Sequence, residues 1–274
     1  MEIAELESLA RQIRFKLVQM SHSGGAPHLG SSLSCVDILV SLYWEVLKID
    51  PHRPDHPDRD RFILSKGHAA TTLYAALALR GFFPPSLLDH FAEAGGCLPE
   101  HPSRGSVPGV EVASGSLGHG LSLALGMALS ARIQKRDYRV FAVLSDGECN
   151  EGSVWEAAML TPAHDLGNLA AVIDYNKWQA TGRSNEVMSL APLVDKWRSF
   201  GWNTCEVDGH DIAQLTEVLK PVPTGSGKPT AVIAHTVKGK GVSFMEDDNN
   251  WHYRIPDAAA IERARVELFG NYGE

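Results

Sequence analysis

The stretch VLSDGECNEGSVWEAA, residues 143–158, begins as an apolar, strand-like run and then brings several acidic side chains close together. The acids of this stretch are Asp146, Glu148, Glu151 and Glu156. Between Arg139 and Lys177 there is no Lys or Arg at all. Because the segment supplies no counter-charge of its own, the sequence predicts that these acids meet a positive charge from elsewhere.

Asp146 and Gly147 form a turn directly after the apolar run, which presents a carboxylate at a sheet edge. Magnesium typically takes one or two protein carboxylates together with phosphate oxygens. Asn176 ends the next strand-like run and offers an amide oxygen, and the backbone carbonyl of Trp178 follows two residues later. We therefore predict a Mg²⁺ site formed by Asp146, Asn176 and Trp178, with Ca²⁺ or Mn²⁺ as substitutes. The alternative is a helix cap at Asp146 and a turn at Asn176.

Strand-like apolar runs alternate with helical or loop segments along the chain. The runs are RFILS, RVFAVLSD, NLAAVIDYN, WNTCEVDG and PTAVIAHTV. This alternation predicts an α/β fold, a mostly parallel sheet with helices on both faces, in one domain over residues 1–274. Ligands of such sheets bind beyond the carboxyl ends of the strands. The expected site loops are Asp146-Gly147, Asn176-Lys177, Asp208-Gly209-His210 and Lys238-Gly239-Lys240.

The helical segments are predicted from apolar residues at helical spacing. The amino-terminal 20 residues form the first helix, and the small-residue loop SHSGGAPHLGSS leads to a second, from about Ser34 to Leu47. Residues 95–117 are rich in Gly, Pro and Ser and predict an extended loop. Further helices are predicted for AATTLYAALALR, GLSLALGMALSARIQ and DAAAIERARVELFG.

Composition excludes several classes of function. The net charge is −8 and no run of Lys or Arg occurs, so nothing indicates nucleic-acid binding. No apolar run approaches the roughly 20 residues needed to cross a bilayer. The four cysteines are scattered without a C-x-x-C pair, which favours a reducing cytoplasm over a disulfide framework. We predict a cytoplasmic protein that binds neither nucleic acid nor membrane.

The acidic turn and several further motifs resemble transketolase. SDGECNEGSVWEAAML followed by DYNKWQATG resembles the family's version of the thiamine diphosphate signature. The other matching motifs, in order, are HLGSSLS, LSKGHAA, EHPS, SGSLGHGLSLALGMA and KGKGVSFMEDDNNWH. The match is to the diphosphate-binding domain, and especially to the separate amino-terminal subunit of transketolases that are split into two chains. Departures from the family pattern are Ser145, Tyr175, Leu29 and Ser116, none of which removes a ligand atom.

The resemblance implies thiamine diphosphate as cofactor, with ketol transfer from a ketose, sugar or sugar phosphate, to an aldose. It implies catalytic roles for His28, His101 and His252. The cofactor-binding residues that it implies are His68, Gly115, Leu117, Asp146, Gly147, Asn176, Trp178 and His252. For each histidine and for the Gly115 loop, an ordinary structural role is the alternative. The resemblance places Glu151 and Glu156 at a subunit interface rather than on the metal.

The resemblance also implies a missing half. In the family, a glutamate of the second domain activates the cofactor, and that domain supplies most sugar-phosphate contacts. The sequence ends at Glu274, soon after its last predicted helix. We therefore expect a C-terminal transketolase subunit as partner, in a heterotetramer of two plus two, and no activity alone. The alternatives are a deoxyxylulose-phosphate synthase-like enzyme, a transketolase for an unusual ketose, and a non-catalytic metal-binding α/β module.

Overall fold

A five-stranded parallel sheet forms the centre of the computed structural model, which describes residues 1–223 and 225–270. The strands are β1 Arg61–Leu64, β2 Val140–Ser145, β3 Leu169–Tyr175, β4 Asn203–Asp208 and β5 Thr230–His235. Their spatial order is β1-β2-β3-β5-β4, and every neighbouring pair is parallel. All five strands coincide with predicted runs, so the α/β prediction is confirmed. Thr224 and the last four residues of the predicted domain lie outside the described residues.

Within the described part of the chain, ten α-helices surround the sheet. They are α1 Ile3–Gly24, α2 Leu29–Ser34, α3 Val36–Ser41, α4 Ala70–Leu79, α5 His119–Gln134, α6 Gly152–Ala163, α7 Ser184–Val187, α8 Leu193–Ser199, α9 Ile212–Leu219 and α10 Ala258–Phe269. Aspartate caps explain where two of them begin. Asp211 accepts a hydrogen bond of 2.9 Å from the Gln214 amide at α9, and Asp257 accepts one of 2.8 Å from the Ala260 amide at α10.

The strands divide their side chains between two apolar cores. On β2, Phe141 and Val143 pack into the core beneath α1, α3, α4, α9 and α10. Ala142 and Leu144 point to the opposite face, into the core beneath α5, α6 and α8. Successive side chains of a strand alternate between faces, so a strand buried on both faces is apolar throughout. The continuous apolar runs of the sequence therefore correspond to a sheet covered on both sides.

One predicted helix differs from the structure. The segment from Ser34 to Leu47 was expected to be one helix after a loop, but α2 already begins at Leu29. The backbone of Cys35 then interrupts the helix, with φ −97° and ψ 9°, and a π-helical turn over Leu42–Val46 ends the segment. The small residues of the predicted loop allow α2 to pack closely, which periodicity does not reveal.

No helix among the described residues is long and apolar enough to cross a bilayer.

A buried ion pair joins the start of the sheet to the loops around it. The Arg139 guanidinium donates to Asp60 Oδ2 at 3.0 and 2.6 Å, and the Arg139 amide donates to Asp60 Oδ1 at 2.9 Å. The Lys48 amide also donates to Asp60 Oδ2, at 2.8 Å. The guanidinium reaches the carbonyls of Val46 and Val222 as well. This cluster aligns β1 with β2 before either strand reaches the site.

We predict that Asp60→Asn lowers the free energy of unfolding by about 3 kcal/mol, because it leaves the buried Arg139 charge without its partner. Urea unfolding of the purified chain measures the change. Asp58→Asn is the matched control, since Asp58 pairs with Arg136 at 2.6 Å on the surface. An exposed pair of this kind contributes about 1 kcal/mol or less. Equal losses in the two variants would contradict the assignment.

Candidate functional site

A cavity of about 390 Å³ lies beyond the carboxyl ends of β2 and β3. Every residue that the sequence predicted for the site lines it, apart from Asp146. The lining residues from that set are His28, His68, His101, Gly115, Leu117, Gly147, Asn176, Trp178 and His252. They come from segments more than 200 residues apart, so only the fold brings them together. Glu151 and Gln179 complete part of the wall.

Asp146 is fully buried beside the cavity. Its carboxylate accepts hydrogen bonds from the amides of Gly147 at 2.9 Å and Lys177 at 2.8 Å, and from the Ser184 hydroxyl at 2.8 Å. Burial raises the pKa of Asp146 to about 6, and the nearby Asp174 carboxylate adds to this, against the hydrogen bond from Ser184. The carboxylate thus has neutral donors but no cation in contact, as a metal ligand would require.

The other two predicted metal ligands lie close to Asp146 on the chain that follows β3. Asn176 is buried, and its Oδ1 accepts a hydrogen bond of 3.0 Å from the Trp178 amide. The Trp178 indole donates to Asp247 Oδ1 at 2.7 Å, and the Arg183 guanidinium stacks 3.7 Å from the centre of its ring. These contacts hold the turn that presents the Trp178 carbonyl.

The donor set fits a hard divalent cation. Among the described residues, no group of three or more His, Cys, Asp or Glu side chains is arranged to hold a metal. The predicted set has one carboxylate, one amide oxygen and one backbone carbonyl. That set suits Mg²⁺, which is commonly bound through few carboxylates plus phosphate oxygens, and not a soft metal such as Zn²⁺.

Four histidines meet at the cavity. The ring centre of His28 lies 5.4 Å from that of His68, 6.4 Å from that of His101 and 4.7 Å from that of His252. His28 Nδ1 and His252 Nε2 are 3.2 Å apart, and the Lys238 ammonium lies 3.1 Å from His252 Nδ1. The cluster predicted from separate motifs is therefore one continuous group.

These imidazoles are held uncharged. Burial lowers the pKa of His28 to about 4 and that of His252 to about 3, and the positive charge of Lys238 lowers both further. Burial lowers the pKa of His68 well below its usual range, with Lys66 as the next cause. Burial also lowers the pKa of Lys238, to about 8. At neutral pH the site therefore contains neutral imidazoles beside a protonated amine.

The loop that carries Gly115 and Leu117 has a steric reason for its glycine. Gly115 has φ +138°, and a Cβ there would lie 2.7 Å from the His101 ring. Glycine therefore lets the loop pack against this histidine, a different reason from the approach of a cofactor ring that the resemblance implies. His101 and Leu117 are exposed at the cavity mouth.

Glu148 anchors this loop from below. The Ser65 hydroxyl and the Gly118 amide donate to its Oε1 at 2.5 and 2.9 Å, and the Ser145 amide donates to its Oε2 at 3.0 Å. Burial raises the pKa of the Glu148 carboxyl, against these three hydrogen bonds. Glu148 thus joins the ends of β1 and β2 to the start of α5. The sequence showed it as one of four acids, without this role.

The expectation about counter-charge needs correction. The missing cation of the acidic interval is Lys66, which is fully buried against the equally buried Asp174 of β3. Its ammonium also donates to the Ser31 carbonyl at 2.8 Å. Sequence analysis assigned Lys66 to a polar loop, because a lysine after a strand is usually exposed. The available signal was a lysine at the end of one apolar run and an aspartate inside another.

Only part of the four expected loops forms this cavity. The Asp208 to His210 loop lines a separate open groove of about 550 Å³ beside the ends of β4 and β5, together with Lys240. None of the predicted site residues lines that groove. The order β3-β5-β4 explains the separation, since β5 lies between β3 and β4.

Comparison with known proteins places the chain in a family. The family described as "Transketolase, thiamine diphosphate binding domain" matches residues 5–271. One of the two subunits of the apulose-4-phosphate transketolase of Phocaeicola vulgatus is 40% identical over 268 residues, which cover 98% of this chain and 95% of that protein. A 6-deoxy-6-sulfo-D-fructose transketolase subunit of a Clostridium species is 42% identical over 242 residues, covering 88% of each chain.

Solved structures agree with these relatives. The transketolase of Campylobacter jejuni superposes with a TM-score of 0.91 at 28% identity, covering 98% of this chain and 43% of that one. A Pichia stipitis transketolase gives a TM-score of 0.92 at 28% identity and covers 98% of this chain and 41% of its own. The chain therefore spans about two fifths of these transketolases and nearly the whole of the Phocaeicola subunit.

We predict that Glu148→Gln loosens the loop before α5. A Gln side chain offers one acceptor oxygen where the carboxylate offers two, so at least one buried donor loses its partner, at a cost of about 1 to 3 kcal/mol. Hydrogen–deuterium exchange should become faster over residues 114–119. Glu156→Gln on the exposed face of α6 is the control and should leave this exchange unchanged. Equal protection in both variants would remove the anchoring role.

Proposed function

The chain belongs to the transketolase family through its thiamine diphosphate-binding domain, and on that premise we propose that it is one subunit of a two-chain transketolase. In this proposal it binds the diphosphate end of the cofactor and a divalent cation, while a second subunit completes the site. The reaction is transfer of a two-carbon ketol unit from a ketose to an aldose.

The observation that carries the proposal is the single cavity in which the predicted residues meet. Four histidines, the Gly115 loop and the acidic turn come from five different segments, and each could have had an ordinary structural role. Their convergence on about 390 Å³ of space supports a shared function. The neutral state of the buried imidazoles adds to this, because perturbed pKa values cluster at functional sites.

We assign the metal and the diphosphate to the acidic turn. Asp146, Asn176 and Trp178 would hold Mg²⁺, and Gly147 lines the cavity where a side chain would lie 3.3 Å from Gln179. A bound cation would favour the ionised Asp146, whose buried carboxylate has only neutral donors without it. Lys238 adds positive charge nearby, which suits an anionic ligand.

The histidines handle the substrate in this proposal. When bound, thiamine diphosphate supplies the electron sink for cleavage of the ketose. The chain's own contribution is to bind and orient the sugar and to donate or accept protons at its oxygens. Neutral imidazoles suit that task, because each carries one N–H donor and one acceptor nitrogen. We assign it to His28 and His101, with His68 at the cofactor.

Two observations support a second chain as partner. The relatives that match this chain over most of their length are named as transketolase subunits. In addition, large apolar side chains are exposed on α5 and α6: Leu123 is 41% exposed, Ile133 72%, Met159 59% and Leu160 45%. Exposed apolar surface of this kind marks protein interaction sites. The two-plus-two stoichiometry and the cytoplasmic location stay predictions.

An unusual ketose is the second candidate for the donor. The relatives named above are transketolase subunits for apulose-4-phosphate and for 6-deoxy-6-sulfo-D-fructose, sugars that carry a phosphate or a sulfo group. We infer that the donor here is also an anionic ketose, recognised at its charged end by the partner. The relatives favour this over a deoxyxylulose-phosphate synthase-like reaction and over a non-catalytic module.

Asp146→Asn should weaken thiamine diphosphate binding in the presence of Mg²⁺ at least tenfold, because the site has one carboxylate among its predicted ligands. Calorimetry on the assembled two-subunit protein measures this directly. Asp208→Asn is the matched control, since Asp208 also precedes a glycine at the carboxyl end of a strand but lines the other groove. Undiminished, Mg²⁺-dependent binding by Asp146→Asn would end the metal assignment.

Catalysis should appear only when this chain is mixed with a C-terminal transketolase subunit, and removal of divalent cations by a chelator should abolish it. A ketol-transfer assay over phosphorylated and sulfonated ketoses, with each chain alone and with both, measures activity and substrate preference together. Thiamine diphosphate should also tighten the association of the two chains in sedimentation, because a ligand that binds the assembled state best stabilises it. Full activity of the single chain would refute the two-subunit proposal.

A further inference from the structure

Three side chains at the cavity form one hydrogen-bonded row. The Lys238 ammonium contacts His252 Nδ1 at 3.1 Å, and His252 Nε2 contacts His28 Nδ1 at 3.2 Å. The row begins at a buried amine and ends at an imidazole that lines the cavity. Within the described residues, no contact occupies His28 Nε2.

The chemistry of the first member decides the direction of every bond in the row. A lysine ammonium has three donors and no acceptor, so His252 Nδ1 must accept. A neutral imidazole has one protonated nitrogen, and for His252 this is then Nε2. Nε2 therefore donates to His28 Nδ1. The proton of His28 must in turn be on its own Nε2.

We propose that Lys238 sets the tautomers of His252 and His28, so that His28 presents an Nε2–H donor to the cavity. Lys238 and His252 are then positioning residues, and His28 is the group that meets the substrate. Both ring nitrogens of His252 are engaged by protein atoms, which favours this indirect role over direct contact.

The charge state of the row is consistent with this arrangement. Burial lowers the pKa of His28 to about 4 and of His252 to about 3, so both rings are neutral at pH 7. Burial lowers the pKa of Lys238 only to about 8, so the amine remains mostly protonated there. A row with one charged donor and two neutral rings therefore has a single consistent set of hydrogen positions.

Backbone contacts hold each end of the row. His28 has φ 72°, in the left-handed region, and its amide donates to the His252 carbonyl at 2.8 Å. A non-glycine residue in that region is uncommon and persists when its surroundings require it. At the other end, Lys238 also donates to Asn249 Oδ1 at 2.7 Å. Gly30 leaves room for the lysine stem, since a Cβ there would lie 3.1 Å from Lys238 Cγ.

The arrangement has a chemical consequence, which rests on the proposed function. His28 can donate to a carbonyl or hydroxyl oxygen of a ketose but cannot remove a proton from it without reversal of the whole row. The base for proton removal must then be another group. The chain thus uses a buried lysine to give one histidine a single role near neutral pH, where a free imidazole would exchange between two tautomers.

Nitrogen-15 NMR of the full chain labelled at histidine tests the tautomers without any assay of activity. Long-range proton–nitrogen couplings identify which ring nitrogen carries the proton, and His28→Gln and His252→Gln assign the two signals. At pH 7 both rings should be protonated at Nε2 in the unaltered chain. Protonation of either ring at Nδ1 overturns the proposal, whatever the variants do.

Lys238→Met tests the cause. It removes the donor but keeps an unbranched side chain, so His252 and then His28 should shift towards a mixture of tautomers. Lys240→Met is the matched control, because Lys240 lies in the same loop with its amine 3.7 Å from Glu246 at the surface. Lys238→Arg restores a charged donor and should restore the signals. Unchanged His28 couplings in Lys238→Met would refute the role of the lysine.

Kinetics of the assembled two-subunit protein test the consequence. Lys238→Met should lower kcat for ketol transfer by on the order of tenfold to a hundredfold with little change in KM, since a positioned proton donor contributes about a hundredfold or more. Lys240→Met should match the unaltered protein, and Lys238→Arg should recover part of the loss. If the unaltered assembly transfers no ketol, the proposed function fails while the NMR result still decides the tautomers.

Discussion

The buried ion pair between Lys66 and Asp174 is the interaction on which the site depends. Asp174 lies inside β3, where it also accepts hydrogen bonds from Ser34 at 2.6 Å and from Thr236. Lys66 also binds the Ser31 carbonyl of α2. A buried pair repays its desolvation only with such additional partners, and removal of one partner leaves an uncompensated charge. The pair thereby fixes α2 and the ends of three strands in one arrangement.

Charge in this region is arranged in layers. Lys66 neutralises Asp174, and Glu148 is satisfied by neutral donors. Asp146 is left with hydrogen bonds but no cation in contact. Nearer the cavity, Lys238 contacts neutral imidazoles rather than a carboxylate. An Mg²⁺ ion with a diphosphate would meet the one carboxylate that the protein leaves without a positive partner, which is why the acidic turn and not the rest of the acids fits the metal.

The same packing that stabilises the sheet presents the chemistry at its edge. Strands buried on both faces end together, and each continues into a loop whose polar atoms are paired by the next element. The histidines differ from these loops in one respect, since they are grouped through mutual contact and Lys238 rather than through the sheet. Site geometry therefore depends on both the strand register and the loop that carries His252.

Periodicity and composition determined the strands, because five apolar runs bounded by polar turns admit little besides a parallel sheet covered on both faces. The motifs also determined which residues belong to the site, since residue types at a strand end are local information. The tertiary structure alone decided the partners. Lys66 meets Asp174 across 108 residues and Lys238 reaches His28 through His252, and no pattern along the chain encodes such contacts. Hydrogen-bond direction, burial and the resulting pKa values depend on the distances between segments, and these exist only once the sheet has formed.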